Sequence, residues 1–135
     1  MNKVFKNVCI TGAGNGIGQA IAIAMSKEGY NVICADIDFE EAEKTVEIIS
    51  SNNGSGLAIK TDVTNVEDIK DMINKAAKQF GSLDIMVNNA GVTRTSSIMD
   101  LNEKDWDWIH NVNAKGTFFC LQTAAYQMIK QETGG

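Results

Sequence analysis

Residues 8–18 read Val8-Cys9-Ile10-Thr11-Gly12-Ala13-Gly14-Asn15-Gly16-Ile17-Gly18. An apolar run breaks into a glycine-rich turn and resumes as a helix-forming stretch. Residues 8–11 have the character of a short buried strand. Residues 17–28 carry the helical period, with Ile17, Ala20, Ile21, Ala24 and Met25 predicted on one face and Gly29 past the end. Small residues between the two tolerate positive φ and a close backbone approach. The free N–H groups at the helix start, aided by the helix dipole, attract an anion. A glycine run alone marks only a tight turn. Set between a strand and a helix, it reads as a turn that cradles a pyrophosphate.

Outward from that turn, strand and helix patterns alternate with short connections. Residues 31–36 read as a second buried strand, and 39–51 as an acidic helix with Ala42, Val46 and Ile49 inward. Residues 56–60 read as a third strand. Thr64-Asn65-Val66-Glu67 has the pattern of a capping box, with Thr64 at the N-cap of a helix running to about Phe80 and ended by Gly81. Residues 83–88 read as a fourth strand, and a loop over 91–100 leads into a long helical region over 102–132. The strands are continuous apolar runs rather than alternating ones, as in a parallel sheet covered on both faces. With right-handed crossovers this gives a Rossmann-type, doubly wound α/β sheet, expected in the order 3-2-1-4.

Composition bounds the partners. The chain has 135 residues, with 12 Lys and Arg against 17 Asp and Glu, a net charge of −5. Its basic residues are scattered, which argues against nucleic acid and anionic membrane. No apolar stretch is long enough to span a bilayer and no export signal is legible, so a cytoplasmic location is expected. Cys9, Cys34 and Cys120 sit in apolar runs and read as buried reduced thiols. With His110 as the only histidine and no cysteine pair at ligand spacing, no metal site is expected.

Asp36 closes the second strand, 18 residues after Gly18. A carboxylate there accepts hydrogen bonds from both ribose hydroxyls of an adenosine and repels a 2′-phosphate. Neither Asn15 nor Ile37 supplies a compensating positive charge. The expected cofactor is NAD, with NADP disfavoured by Asp36.

Thr11-Gly12 followed by Gly16 and Gly18 resembles the TGxxxGxG turn of the short-chain dehydrogenase/reductase family. Three further landmarks of that family stand in order: Asp62-Val63, Asn88-Asn89-Ala90-Gly91, and Asn113 within Asn111-Val112-Asn113-Ala114-Lys115-Gly116. The resemblance spans the chain. The loop Gly91-Val92-Thr93-Arg94, followed by Trp106, is most similar to the 3-oxoacyl-carrier-protein reductase and sugar or diol dehydrogenase branches. The resemblance implies cofactor contacts from Gly12, Asn15, Gly16, Ile17, Gly18, Asp36, Ile37, Asp62, Val63, Asn89, Ala90 and Gly91. It implies that Asp62 and the Val63 N–H hold the adenine, and that Asn113 is the Asn of the catalytic tetrad, kinking its helix and positioning a water. The activity implied is hydride transfer between a nicotinamide and a carbonyl or secondary alcohol of a small molecule, in a homo-oligomer.

The same resemblance implies a Ser strand and a Tyr-x-x-x-Lys helix that do not occur before Gly135. The chain therefore reads as the N-terminal, cofactor-binding portion of the domain, inactive by itself. Tyr126-Gln127-Met128-Ile129-Lys130 spells Tyr-x-x-x-Lys but begins only 13 residues beyond Asn113. In a helix that is about 20 Å away, so Tyr126 is expected to be an ordinary helix-face residue. His110 is expected to face solvent. Trp106 and Trp108 are expected to point to different faces, one packed and the other exposed near a substrate entrance. The alternative function is a non-catalytic dinucleotide-binding or dimerising half-domain. An extended-family sugar-nucleotide epimerase fits the motifs less well.

Ile85-Met86-Val87 is expected to form an unprotected apolar edge, and the last helix carries Phe118, Phe119, Leu121, Ala124, Ala125 and Met128, a large apolar surface for one helix. The chain is therefore predicted to self-associate or to be marginally stable at micromolar concentration. Sedimentation and thermal scans check this, and a monodisperse monomer with a cooperative melt would overturn it.

Overall fold

The apolar stretch before the glycine turn becomes the centre of the sheet. In the computed structural model, which describes residues 6–135, Asn7–Thr11 forms β1 with every residue buried. Asn31–Asp36 (β2) lies on one side of it, with Ser55–Lys60 (β3) beyond, and the short Ile85–Val87 (β4) lies on the other. All pairings are parallel and the order is β3-β2-β1-β4, as the sequence pattern predicts. The reading of the first residues as free of an export signal falls in part on residues 1–5, outside the described residues.

Helices cover both faces because each strand alternates its side chains between two apolar layers. Val8, Ile10, Val32 and Cys34 pack against Ala22 of α1 (Gly16–Lys27) and Ala42 and Ile49 of α2 (Phe39–Ser51). Cys9, Ile33, Ala35 and Ile59 meet Ile69, Met72, Ile73 and Ala76 of α3 (Val66–Phe80). The same layer takes in Cys120 and Ala124 of α5 (Thr117–Lys130). Each fully buried aliphatic side chain here contributes roughly 1.5–3 kcal/mol. Ahead of α5 come α4 (Glu103–His110) and a π-helical segment, Asn111–Gly116. Among the described residues, no helix is long and apolar enough to cross a membrane.

Several local expectations are corrected. The cap of α3 is Asn65, whose side chain accepts from the Glu67 N–H at 2.9 Å. Thr64 is diverted, giving both its N–H and its hydroxyl to Asp62 Oδ1 at 2.9 and 2.7 Å. The inner face of α1 is Gly18, Ile21, Ala22 and Met25, while Ile17, Ala20 and Ala24 turn outward. The reason is steric: Gly18 has to face the turn, and that fixes the rotation of the helix. β4 is three residues long rather than the six of 83–88: Leu83 bonds the Gln131 amide ahead of it, and the chain turns toward the glycine turn beyond Asn88. The region 102–132 is two helices joined by the π segment rather than one. Both Trp106 and Trp108 are exposed, so the expectation that one packs does not hold. His110 and Tyr126 are exposed as expected.

Below the sheet a polar knot ties the strand starts together. Asp84, 4% exposed, accepts from the Lys6 and Asn7 N–H groups and from the Ser82 hydroxyl. Asn7 in turn donates to Phe80 O and Ser82 O. The Asp84 N–H points to Asn7 O of β1, so the backbone of Leu83 points the other way, to the open flank. The Gln131 amide fills that position, accepting from Leu83 N at 3.0 Å and donating to Leu83 O at 2.8 Å. On α5, Phe119 and Met128 join the core, while Phe118, Leu121 and Ile129 stand exposed.

The three cysteines are buried and free. Burial pushes the Cys34 thiol up to about 12 and the Cys120 thiol up to about 11, from an ordinary 9.0, and moves Cys9 further in the same direction. A thiol whose pKa is raised by folding adds stability that is complete below its unfolded pKa and is lost as pH rises through the folded value. The urea midpoint is therefore predicted to fall between about pH 9 and pH 11, with Cys34→Ala flattening that slope. Unfolding curves at stepped pH check this, and identical slopes in the two proteins would refute it.

Candidate functional site

Parallel strands deliver their C-terminal ends to one rim, and a cleft of about 480 Å³ opens there. The residues at and just beyond each strand end line it: Gly12, Asn15 and Ile17 after β1, Asp36 and Ile37 at the end of β2, Asp62 and Val63 after β3, and Asn89, Ala90 and Gly91 after β4. Every residue expected to touch a cofactor is in this lining except Gly16 and Gly18. A larger, more open groove of about 1210 Å³ runs along the outer edge of β3, between α2 and α3. Of the motif residues only Ile37 reaches it, so the smaller cleft is the candidate site.

Gly18 is buried within α1 because the helix sits directly on the turn. A methyl group there would overlap the Gly12 carbonyl oxygen and crowd the Asn89 amide. Asn89 Nδ2 donates to Thr11 O at 3.0 Å and Gly12 O at 3.1 Å. The Thr11 hydroxyl accepts in return from the N–H groups of Asn89 and Ala90, at 3.1 and 3.0 Å. The glycine turn and the Asn-Asn-Ala-Gly loop are thus a single hydrogen-bonded unit. Beside it, Asn88 Oδ1 is buried without a donor, a cost of about 1–3 kcal/mol.

The start of α1 differs from those of α2, α3 and α4. Asp38, Asn65 and Asn102 each cap their helix through a side-chain oxygen, and each of those helices has acids in its first turn. Asn15 makes no such bond, and the first turn of α1 holds no acid. Asn15 and Ile17 at this helix start line the cleft, beside the positive end of the helix dipole, a combination suited to an anion. Asp36 stands alongside in a fixed orientation: Oδ2 accepts from Gly14 N at 2.8 Å and Oδ1 from Asp38 N at 3.0 Å. A side chain at Gly14 would run into that carboxylate. Each oxygen of Asp36 keeps a lone pair for a hydroxyl donor. A helix start without a side-chain cap, beside an oriented carboxylate, suits a dinucleotide pyrophosphate and its ribose diol.

Asn113 does not line the cleft. Its amide reaches back to the loop after β4, accepting from Val92 N and donating to Val92 O, both at 2.8 Å. Asn113 lies in the π segment, and its amide clamps Val92, which is itself in the cleft lining. The sequence reading assigned no cofactor contact to Thr11, Ala35, Thr61, Val92, Trp108 and Val112, which also line the cleft. The spacing of Trp108, Val112 and Gly116 at four-residue intervals was the available signal for a shared helix face. Among the described residues, no group of His, Cys, Asp or Glu could hold a metal.

The sequence pattern of the family described as short chain dehydrogenase matches residues 6–135. The chain belongs to the short-chain dehydrogenase family. It is 41% identical over 133 residues to a 3-oxoacyl-[acyl-carrier-protein] reductase of Staphylococcus aureus, covering 98% of this chain and 54% of that protein. It is 38% identical over 128 residues to the reductase of the same name from Thermotoga maritima, covering 94% and 52%. A short-chain type dehydrogenase/reductase from Mycobacterium marinum superposes with a TM-score of 0.93 at 31% identity, over 96% of this chain and 53% of that one. The chain spans about half the length of the curated relatives it matches.

In this short-chain dehydrogenase chain the clamp on Val92 can be tested directly. Asn113→Ala is predicted to speed amide exchange at Val92 at least about tenfold and to cost about 1 kcal/mol of stability. Unchanged protection of Val92 in hydrogen-exchange NMR would remove Asn113 from that role.

Proposed function

We propose that this chain supplies the cofactor-binding half of an NAD(H)-dependent oxidoreductase that interconverts a carbonyl and a secondary alcohol. The observation that carries the reading is the uncapped start of α1, open to the cleft beside the fixed Asp36 carboxylate. A nicotinamide dinucleotide, when bound, supplies or accepts the hydride. The N–H groups of Gly16, Ile17 and Gly18 hold its pyrophosphate, and Gly12 and Asn15 let the backbone approach it. Asp36 accepts from the adenosine ribose, with Ile37, Asp62 and Val63 around the adenine. Asn89, Ala90 and Gly91 meet the second ribose, and Asn113 fixes Val92 next to them. The 3-oxoacyl reductases among its relatives support the carbonyl class of substrate. The parent is a cytoplasmic homo-oligomer in this reading, and the chain alone does not complete hydride transfer.

A second reading, a dinucleotide-binding half-domain that docks on a partner, is favoured by the exposed Phe118, Leu121 and Ile129 on α5. It shares the cofactor site and differs only in lacking chemistry.

Cofactor choice rests on Asp36. Two like charges about 4 Å apart repel by about 4 kcal/mol at an effective dielectric of 20, which disfavours a 2′-phosphate there. NADH is predicted to bind at least about tenfold more tightly than NADPH, and Asp36→Ser to bring the ratio near one. Calorimetry with both cofactors on both proteins checks this. Equal affinity for the two in the unmutated chain would sink the preference.

A further inference from the structure

The proposed cofactor residues all come from strand ends and the α1 turn, yet the cleft has a further wall. That wall is one face of the helical region α4–π–α5. Gly116 lies against the loop after β3, so closely that a methyl group there would sit 2.9 Å from Val63 Cγ2. One turn back, Val112 is nearly buried and lines the cleft, and one turn before that Trp108 lines it too. The stripe 116, 112, 108 therefore starts in contact with Val63 and ends in an indole 41% exposed. Trp106, two residues earlier, is not part of the cleft and stacks instead on His110, with ring centroids 4.0 Å apart.

Trp108 is held in place. The Arg94 guanidinium lies over its ring, 5.8 Å from the centroid. Arg94 is in turn fixed by Asp105, Nε to Oδ1 at 3.1 Å. Asp105 is only 16% exposed, and Asn102 Nδ2 donates to its other oxygen at 2.9 Å. A large aromatic side chain at a cleft, oriented by a cation–π contact and a hydrogen-bonded ion pair, costs little further ordering when a planar ligand arrives.

We infer that Trp108 is a stacking platform for the adenine ring of the bound dinucleotide, extending the apolar slot formed by Val63 and Val112. This rests on the reading of the cleft as a dinucleotide site. Adenine rather than nicotinamide is assigned on two grounds. Asp36 and the Asp62-Val63 loop mark the purine end, and the stripe carrying Trp108 packs on Val63. The Arg94 cation on one face of the indole also opposes a positively charged oxidised nicotinamide and tolerates a neutral purine. An aromatic platform recognises a base by its π face and contributes binding without selecting between cofactors that share adenine.

The chain has two tryptophans, so Trp106→Phe leaves Trp108 as the sole reporter and Trp108→Phe leaves Trp106. Titrated with ADP-ribose, the Trp106→Phe protein should lose indole fluorescence on binding and the Trp108→Phe protein should not. In calorimetry, Trp108→Ala should weaken ADP-ribose binding about tenfold, with Trp108→Phe staying within about threefold of the unmutated chain. Unaltered ADP-ribose affinity in a folded Trp108→Ala protein would overturn the inference and leave the dinucleotide reading standing. A signal that tracks Trp106 would do the same. If Trp108→Ala does not fold by circular dichroism, the fluorescence comparison decides alone. An unmutated chain that binds neither NADH nor ADP-ribose would bring down the dinucleotide reading, and this inference with it.

Discussion

The seat of α1 on the Thr11-Gly12 turn is the constraint that organises the site. There is no room for a Cβ at Gly18, so the helix start is pressed against the Gly12 carbonyl and the Asn89 amide. That contact sets the rotation of α1, sending Gly18, Ile21, Ala22 and Met25 inward and leaving Ile17 at the cleft. It also brings the loop after β4 within reach of Thr11, whose hydroxyl takes two N–H donors while its carbonyl takes the Asn89 side chain. One close approach thus joins two strand ends that lie 78 positions apart in the chain. A larger residue at 18 would not only strain a turn. It would separate the two halves of the rim.

Polar groups near the cleft divide into those that the fold has consumed and those it has left open. Asp36 could be read as a solvated acid at a strand end, but both of its oxygens are committed to backbone N–H groups, and Gly14 leaves just enough space for one of them. Asp62 is likewise anchored by Thr64. The start of α1 goes the other way. Three helices spend a side chain on capping, at about 1 kcal/mol of benefit each, and α1 forgoes it. Fixed acceptors next to unfilled donors make a site whose charge pattern is set before any ligand arrives, which lowers the cost of binding.

The strand order, the helix succession and the cleft residues were legible because parallel α/β folds put the residues beyond each strand on one rim. Strand–turn–helix spacing is then enough to collect Gly12 and Asp36, while Asp62 and Asn89 came from the resemblance to the short-chain dehydrogenase family. What was not legible depends on tertiary competition. Thr64 and Asn65 are equally good caps on paper, and Asp62 decides between them by capturing the Thr64 hydroxyl. The apolar period of residues 17–28 fits two rotations of α1, and only the Gly18 contact chooses one. The place of Trp108 was hidden because two nearby tryptophans suggest one inside and one outside. Neither is inside, and the cleft itself accounts for one of them.

Asn113 shows how a residue can belong to a site without lining it. A regular α-helix through residues 111–116 would advance its side chains at the usual pitch, with every backbone group spent on the i−4 ladder. The π winding shifts that register, and the amide at 113 closes a two-bond ring with Val92. Asn89 and Ala90 tie the start of the loop after β4 to Thr11 and Gly12; residues 93–100 beyond are exposed throughout, anchored by the Arg94–Asp105 pair and the Arg94 contact with Trp108. The position of Val92 at the cleft is therefore set from two sides, by the Thr11 end of the sheet and by the π segment. The π segment runs directly into α5, which carries the exposed Phe118, Leu121 and Ile129.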